Sequence, residues 1–287
     1  MTGRVTVGLF FLLLVWGNLV AGMKAGLGCP DWPLCHGRVV PPYRWDIYME
    51  FGHRVIAATA TAALAVLSYA RSREYRGWAK AVPMLAMGLV AAEIVMGGLV
   101  VILGLPVQLT TFHFMAGLMV FLLVLYMAAV HDMGEGRACH AREGAGVYLG
   151  VAAFVFTQAA LGAYVRHSGA GLACPDFPLC MGSIVPALLD KLTVAQLSHR
   201  MFAYFIFLTA LALYAFTKLV PGQAHNRGLA LSLVLLTFLQ IAVGGVVVLS
   251  GLFYPATALH LAVAVTMLSI AVMMWLRPSL AREGAQS

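Results

Sequence analysis

Residues 81–103 read AVPMLAMGLVAAEIVMGGLVVIL. A helix of about 20 apolar residues, rising about 1.5 Å per residue, crosses roughly 30 Å of hydrocarbon. The run shows no alternation of period two, so it predicts a helix rather than a barrel strand. Working outward, comparable blocks recur near 5–24, 50–70, 107–130, 146–166, 194–218, 229–250 and 255–276. The chain of 287 residues is 62% hydrophobic and 10% charged, whereas a soluble domain carries about a quarter charged residues. The expected fold is therefore all-α and integral to a membrane, with eight transmembrane helices. A soluble helical core is excluded.

The net charge of +7 is placed in a way that reads as topology. Arg71, Arg73, Arg76 and Lys80 share one short connection, Arg137 and Arg142 a second, and Arg227 lies in a third. The tails add Arg4, Arg277 and Arg282, while the longer loops 25–49 and 167–193 are poorer in Lys and Arg for their length. Positive charge concentrates on the cytoplasmic side. Both termini are thus expected inside a cell (plasma) membrane that the chain crosses many times, with the long loops outside. No nucleic-acid partner is implied. The first block is not expected to be a cleaved signal, since it lacks a clean small-x-small site and has a counterpart at 146–166.

That counterpart belongs to an internal repeat. Residues 26–35 (GLGCPDWPLC) and 171–180 (GLACPDFPLC) agree at eight of ten positions, at an offset of 145. His53-Arg54 matches His199-Arg200, Gly97-Gly98 matches Gly244-Gly245, and His113 matches His260. Four spans per copy give both copies the same orientation, so two four-helix bundles related by a pseudo-twofold axis along the membrane normal are expected. The units run over 1–133 and 146–278, joined by a cytoplasmic linker at 134–145. The glycine pairs are explained by close helix packing. Of five cysteines, Cys29 and Cys35 share the first outer loop and Cys174 and Cys180 the second. An intraloop disulfide in each is favoured over zinc, because the spacing is not Cys-x-x-Cys. Cys139, on the inner side, is expected to be a reduced thiol.

Four of nine histidines fall within the spans: His53, His113, His199 and His260. Intramembrane ionisable groups are costly and mark function by default. Helices two and four of each copy run inward, which puts the paired histidines at similar heights on what are expected to be neighbouring helices. Two neutral imidazoles facing each other in a four-helix bundle make a site for haem iron. Arg54 and Arg200 follow the first histidine of each pair and suit either a haem propionate or a snorkelling charge. The copies also differ. Glu50, one helical turn before His53, corresponds to Gln196, and Glu93 corresponds to Gln240. An acid beside only one iron site points to a first half that does chemistry and a second that holds a cofactor.

These residues together resemble the haem A synthases. The likeness rests on Glu50-Phe51-Gly52-His53-Arg54, Ser198-His199-Arg200, His113, His260 and the two Cys-Pro-Asp-aromatic-Pro-Leu-Cys loops. It implies oxidation of the C8 methyl of haem O to a formyl group, with His199 and His260 as axial ligands of haem b. It implies further that His53, His113 and Arg54 bind haem O, that Glu50 is the catalytic acid, and that Arg200 assists the cofactor. Cys29 and Cys35 resemble the family's redox-sensitive pair, and Cys174 and Cys180 a structural one. Implied partners are haem O, the lipid bilayer, a haem O synthase and an electron donor, with self-association left open. Two other readings remain: a two-haem electron-transfer cytochrome and a quinone-linked thiol oxidoreductase. The first leaves Glu50 unexplained, and the second lacks a thioredoxin-like motif.

Overall fold

The computed structural model describes residues 2–132, 145–187 and 189–277. Cys139, Arg137, Arg142, Arg282 and the linker up to residue 144 lie outside the described residues. Within them the chain forms eight long helices: α1 (Thr2–Gly22), α2 (Trp45–Glu74), α3 (Ala81–Ile102), α4 (Val107–Asp132), α5 (Ala145–His167), α6 (Lys191–Leu219), α7 (Arg227–Leu249) and α8 (Tyr254–Leu276). All eight are long and apolar enough to cross a membrane. Large apolar side chains such as Leu208, Leu235 and Phe238 stand exposed on their outer faces, as a lipid solvent permits.

The helices overrun the apolar blocks, mainly at polar ends. α2 starts at Trp45 rather than 50, and α6 at Lys191 rather than 194. Asp190 caps α6 by accepting from the backbone N–H of Thr193 at 2.7 Å, which fixes the start ahead of the apolar run. α4 and α5 likewise extend to take in His131 and His167 at their ends.

Contacts divide the chain into two compact units, Met1–Cys139 and His140–Ser287. In the first, α1 and α3 each pack against both α2 and α4. In the second, α5 and α7 each pack against both α6 and α8. The histidine-bearing helices therefore face one another across a bundle diagonal, not as neighbours as the repeat suggested.

Each α3–α4 or α7–α8 connection is the same device. Leu105 closes α3 by donating from its N–H to Val100 at 2.8 Å, and Leu252 closes α7 onto Val247 at 2.8 Å. Both leucines and the glycines before them have positive φ, 72° and 61° at Gly104-Leu105 and 65° at both Gly251 and Leu252. A left-handed pair of residues ends one helix and starts the next at once. His113 and His260 thereby fall about two turns into α4 and α8.

Candidate functional site

In the second unit the His199 and His260 rings face each other with centroids 6.4 Å apart and planes at 63°. A metal bound by one nitrogen of each ring at about 2 Å, with each nitrogen about 1 Å from its ring centre, would hold the centroids roughly 6 Å apart. The observed spacing fits a single ion between the two rings. Among the described residues no group of three or more His, Cys, Asp or Glu could hold a bare metal ion. An ion here therefore needs the remaining ligands brought in with it, as a porphyrin brings them. Nδ1 of His53, His199 and His260 is buried without a hydrogen-bonding partner. Each of these rings thus keeps a nitrogen that the protein itself leaves unpaired.

Every one of the four rings is seated against a glycine of an adjacent helix. A Cβ on Gly17 of α1 would lie 3.0 Å from Cε1 of His53, and one on Gly97 of α3 would lie 3.1 Å from Cε1 of His113. Gly162 of α5 and Gly244 of α7 repeat this at 3.0 Å from His199 and 3.1 Å from His260. Gly17 and Gly162 were not singled out in the sequence, because a glycine in an apolar span reads as packing. The neighbouring glycines have a second use. A Cβ on Gly98 would come within 2.8 Å of the Trp32 ring, and one on Gly245 within 2.8 Å of Phe177. The glycine pairs thus admit an imidazole and a loop aromatic side by side, a more specific role than helix approach alone.

The loops above the bundles are built alike. Disulfides join Cys29 to Cys35 and Cys174 to Cys180. Asp31 accepts from the backbone N–H of His36 and Gly37 at 2.6 and 2.7 Å, and Asp176 from Met181 and Gly182 at 2.7 and 2.8 Å. Those backbone donors, led by Gly37 and Gly182, hold both carboxyls below the usual carboxylate range. The arginines after the histidines reach up to the same loops. Arg54 donates to the carbonyls of Asp31, Leu34 and Cys29 at 2.9, 2.8 and 3.1 Å. Arg200 donates to Leu179 and Cys174 at 2.6 and 2.7 Å and lies over the Phe177 ring. Most of the Arg54 donors are thereby engaged with the loop, a use that residue spacing could not reveal.

The two sites differ where the sequence differs. Buried Glu50 accepts from Nε of Arg54 at 3.2 Å, so one guanidinium joins the acid to the disulfide loop. Gln196, its counterpart, donates instead to the Gly171 carbonyl at 3.3 Å. Glu93, also buried, places Oε2 2.8 Å from Nδ1 of His113. The approach is short but bent, so Nδ1 lacks a well-aligned hydrogen bond.

A family model described as cytochrome oxidase assembly protein (COX15-CtaA) matches residues 3–272. Among curated relatives, a heme A synthase of Symbiobacterium thermophilum is 31% identical over 87% of this chain and 85% of its own. One from Bacillus mycoides is 30% identical over 87% and 83%. One from Shouchella clausii is 28% identical over 86% and 84%.

Proposed function

The chain belongs to the COX15-CtaA family of cytochrome oxidase assembly proteins, and we propose that it is a haem A synthase, the membrane oxidoreductase that converts the C8 methyl of haem O to a formyl group for terminal oxidases. The observation that carries this reading is the pair of imidazoles facing each other at 6.4 Å in one unit, with the corresponding helices of the other unit carrying His53 and His113 and a buried acid, Glu50.

The second unit, residues 146–278, is the holder of a resident haem b. His199 and His260 are the residues that would hold its iron. Arg200 would support it by fixing the Cys174–Cys180 loop, with its remaining N–H groups available to a propionate. Haem b, when bound, supplies one-electron transfer. The first unit, residues 1–133, is the substrate site, where His53 and His113 hold haem O and Arg54 orients it through the Cys29–Cys35 loop. Arg54 fixes Glu50 by Oε1, which leaves Oε2 to carry a proton to or from the reacting carbon. With water as the oxygen source, two successive two-electron oxidations, each taking up one water, releasing two protons and passing two electrons to an external acceptor, give an alcohol and then a hydrated aldehyde, which loses water. The buried walls around Glu50 keep bulk water from competing for that proton.

The topology that fits the basic connections puts both termini in the cytoplasm and both disulfide loops outside the plasma membrane. A haem O synthase then delivers substrate from within the bilayer, and a separate donor or acceptor exchanges electrons with haem b. Membranes holding the protein are supplied with haem O, and extracted haems are separated by chromatography. Haem A should appear with the wild type, and Glu50→Gln should lower its formation by about 10²- to 10⁴-fold, the usual worth of a positioned acid or base. Full activity in that variant removes Glu50 from the chemistry. Recovery of haem O alone from the wild type makes the protein a carrier.

A further inference from the structure

Glu93 has no part in the chemistry just described, yet it is a buried carboxyl inside a membrane-spanning helix. Its Oε2 lies 2.8 Å from Nδ1 of His113, and Oε1 has no partner. Room for the carboxyl is made by Gly117 on α4, where a Cβ would sit 3.4 Å from Oε2. The imidazole is turned to meet it. Nε2 of His113 is 3.5 Å from the Cβ position of Gly97 and Nδ1 is 3.9 Å away. At His53, His199 and His260 the order is reversed, with Nδ1 nearer the glycine than Nε2. In the second unit Gln240 takes the place of Glu93. Its side-chain oxygen has no partner, and neither has Nδ1 of His260.

We propose that Glu93 is a positioning residue for the substrate's iron: its carboxylate, 2.8 Å from Nδ1 of His113, takes the N–H there once the ring aligns on haem O, so that Nε2 is the nitrogen offered to the iron. A carboxylate behind a ligating histidine fixes its tautomer and strengthens it as a donor, and losing such a partner commonly costs 10- to 100-fold in metal affinity. His260, with Gln240 in place of the acid and no partner at Nδ1, is the weaker donor. The two haems are therefore held at unequal strength and potential. A strongly donating imidazole stabilises the ferric form of the substrate, which keeps its electron flow directed outward. This inference rests on His113 being a haem O ligand, as proposed above.

The test uses purified protein that already carries haem b, titrated with ferric haem O and followed by the change in its Soret absorption. Redox titration then gives the midpoint potential of each haem. Glu93→Gln should weaken ferric haem O binding about 10- to 100-fold and raise the potential of the bound haem O, leaving haem b unchanged. The mirror variant Gln240→Glu should lower the potential of haem b. Wild-type affinity with an unmoved haem O potential in Glu93→Gln overturns the proposal. If that variant fails to assemble with haem b, the Gln240→Glu potential decides alone, and no shift there overturns it. His113→Ala separates the two readings: haem O binding unaffected by that change refutes the substrate-site assignment itself, whatever Glu93 does.

Discussion

A histidine inside a membrane span is conspicuous, whereas the glycine that receives its ring is not. His53, His113, His199 and His260 were legible because an ionisable side chain in hydrocarbon demands a reason, and because the repeat set them in pairs. Gly17 and Gly162 were illegible, since their partner is a ring on another helix and only packing reveals it. Each glycine now carries a prediction. A methyl at Gly162 would stand 3.0 Å from Cε1 of His199, so the ring must shift by a few tenths of an ångström. Against a metal that tolerates little misplacement, Gly162→Ala should cut haem b content several-fold while the helices stay assembled. A pyridine haemochrome assay per mole of protein, with circular dichroism as the folding control, measures it. Haem b retained in full would mean that the ring does not depend on that gap. Gly8 has no atom within 4 Å of its Cβ position, and Gly8→Ala should leave the haem untouched.

The disulfide loops are the elements in which local chemistry and site geometry meet. Their cysteine pairing followed from spacing and from the outer side of the membrane. Their attachment did not, because the residues that anchor them, Arg54 and Arg200, sit on α2 and α6 and suited either a propionate or a snorkelling charge. Arg54 holds three loop carbonyls and Glu50 together. A lysine cannot reproduce that fork, having a single ammonium on a flexible stem. Arg54→Lys should therefore loosen the loop and cut haem A formation by about tenfold or more, with the haem b spectrum unchanged. Limited proteolysis within 25–44 reads the loosening, and unaltered cleavage would refute the clamp. The loops have a pH limit as well. Hydrogen bonds to Asp31 and Asp176 lower both carboxyls below their ordinary value near pH 4. Groups with a depressed folded pKa stabilise the structure above the unfolded value and lose that contribution as pH falls through the folded one. Amide protection at Gly37 and Gly182 should thus persist down to about pH 4 and fall below it. Asp31→Ala should remove protection at Gly37 at every pH while sparing Gly182.

At the scale of the whole molecule, duplication was plain in the sequence, and the difference between the copies was visible in two exchanges, Glu50 for Gln196 and Glu93 for Gln240. What no periodicity could supply was the diagonal placement of α2 against α4 and of α6 against α8, since helix order around a bundle is set by packing rather than by chain order. That placement gives each unit a complete pair of histidines drawn from its own helices. Loading of the two haems should consequently be separable. His199→Ala removes an axial ligand from one unit only, so haem b should be lost while ferric haem O still titrates into the other with near-wild-type affinity. His53→Ala should do the reverse, weakening haem O and leaving the haem b spectrum in place. Both variants should make no haem A, the first for want of an electron relay and the second for want of a held substrate. Equilibrium haem titration and haem extraction on the same preparations distinguish the cases. Loss of both haems from either single variant would mean that the two units cannot form their sites independently, and the division into a substrate half and a cofactor half would have to be abandoned.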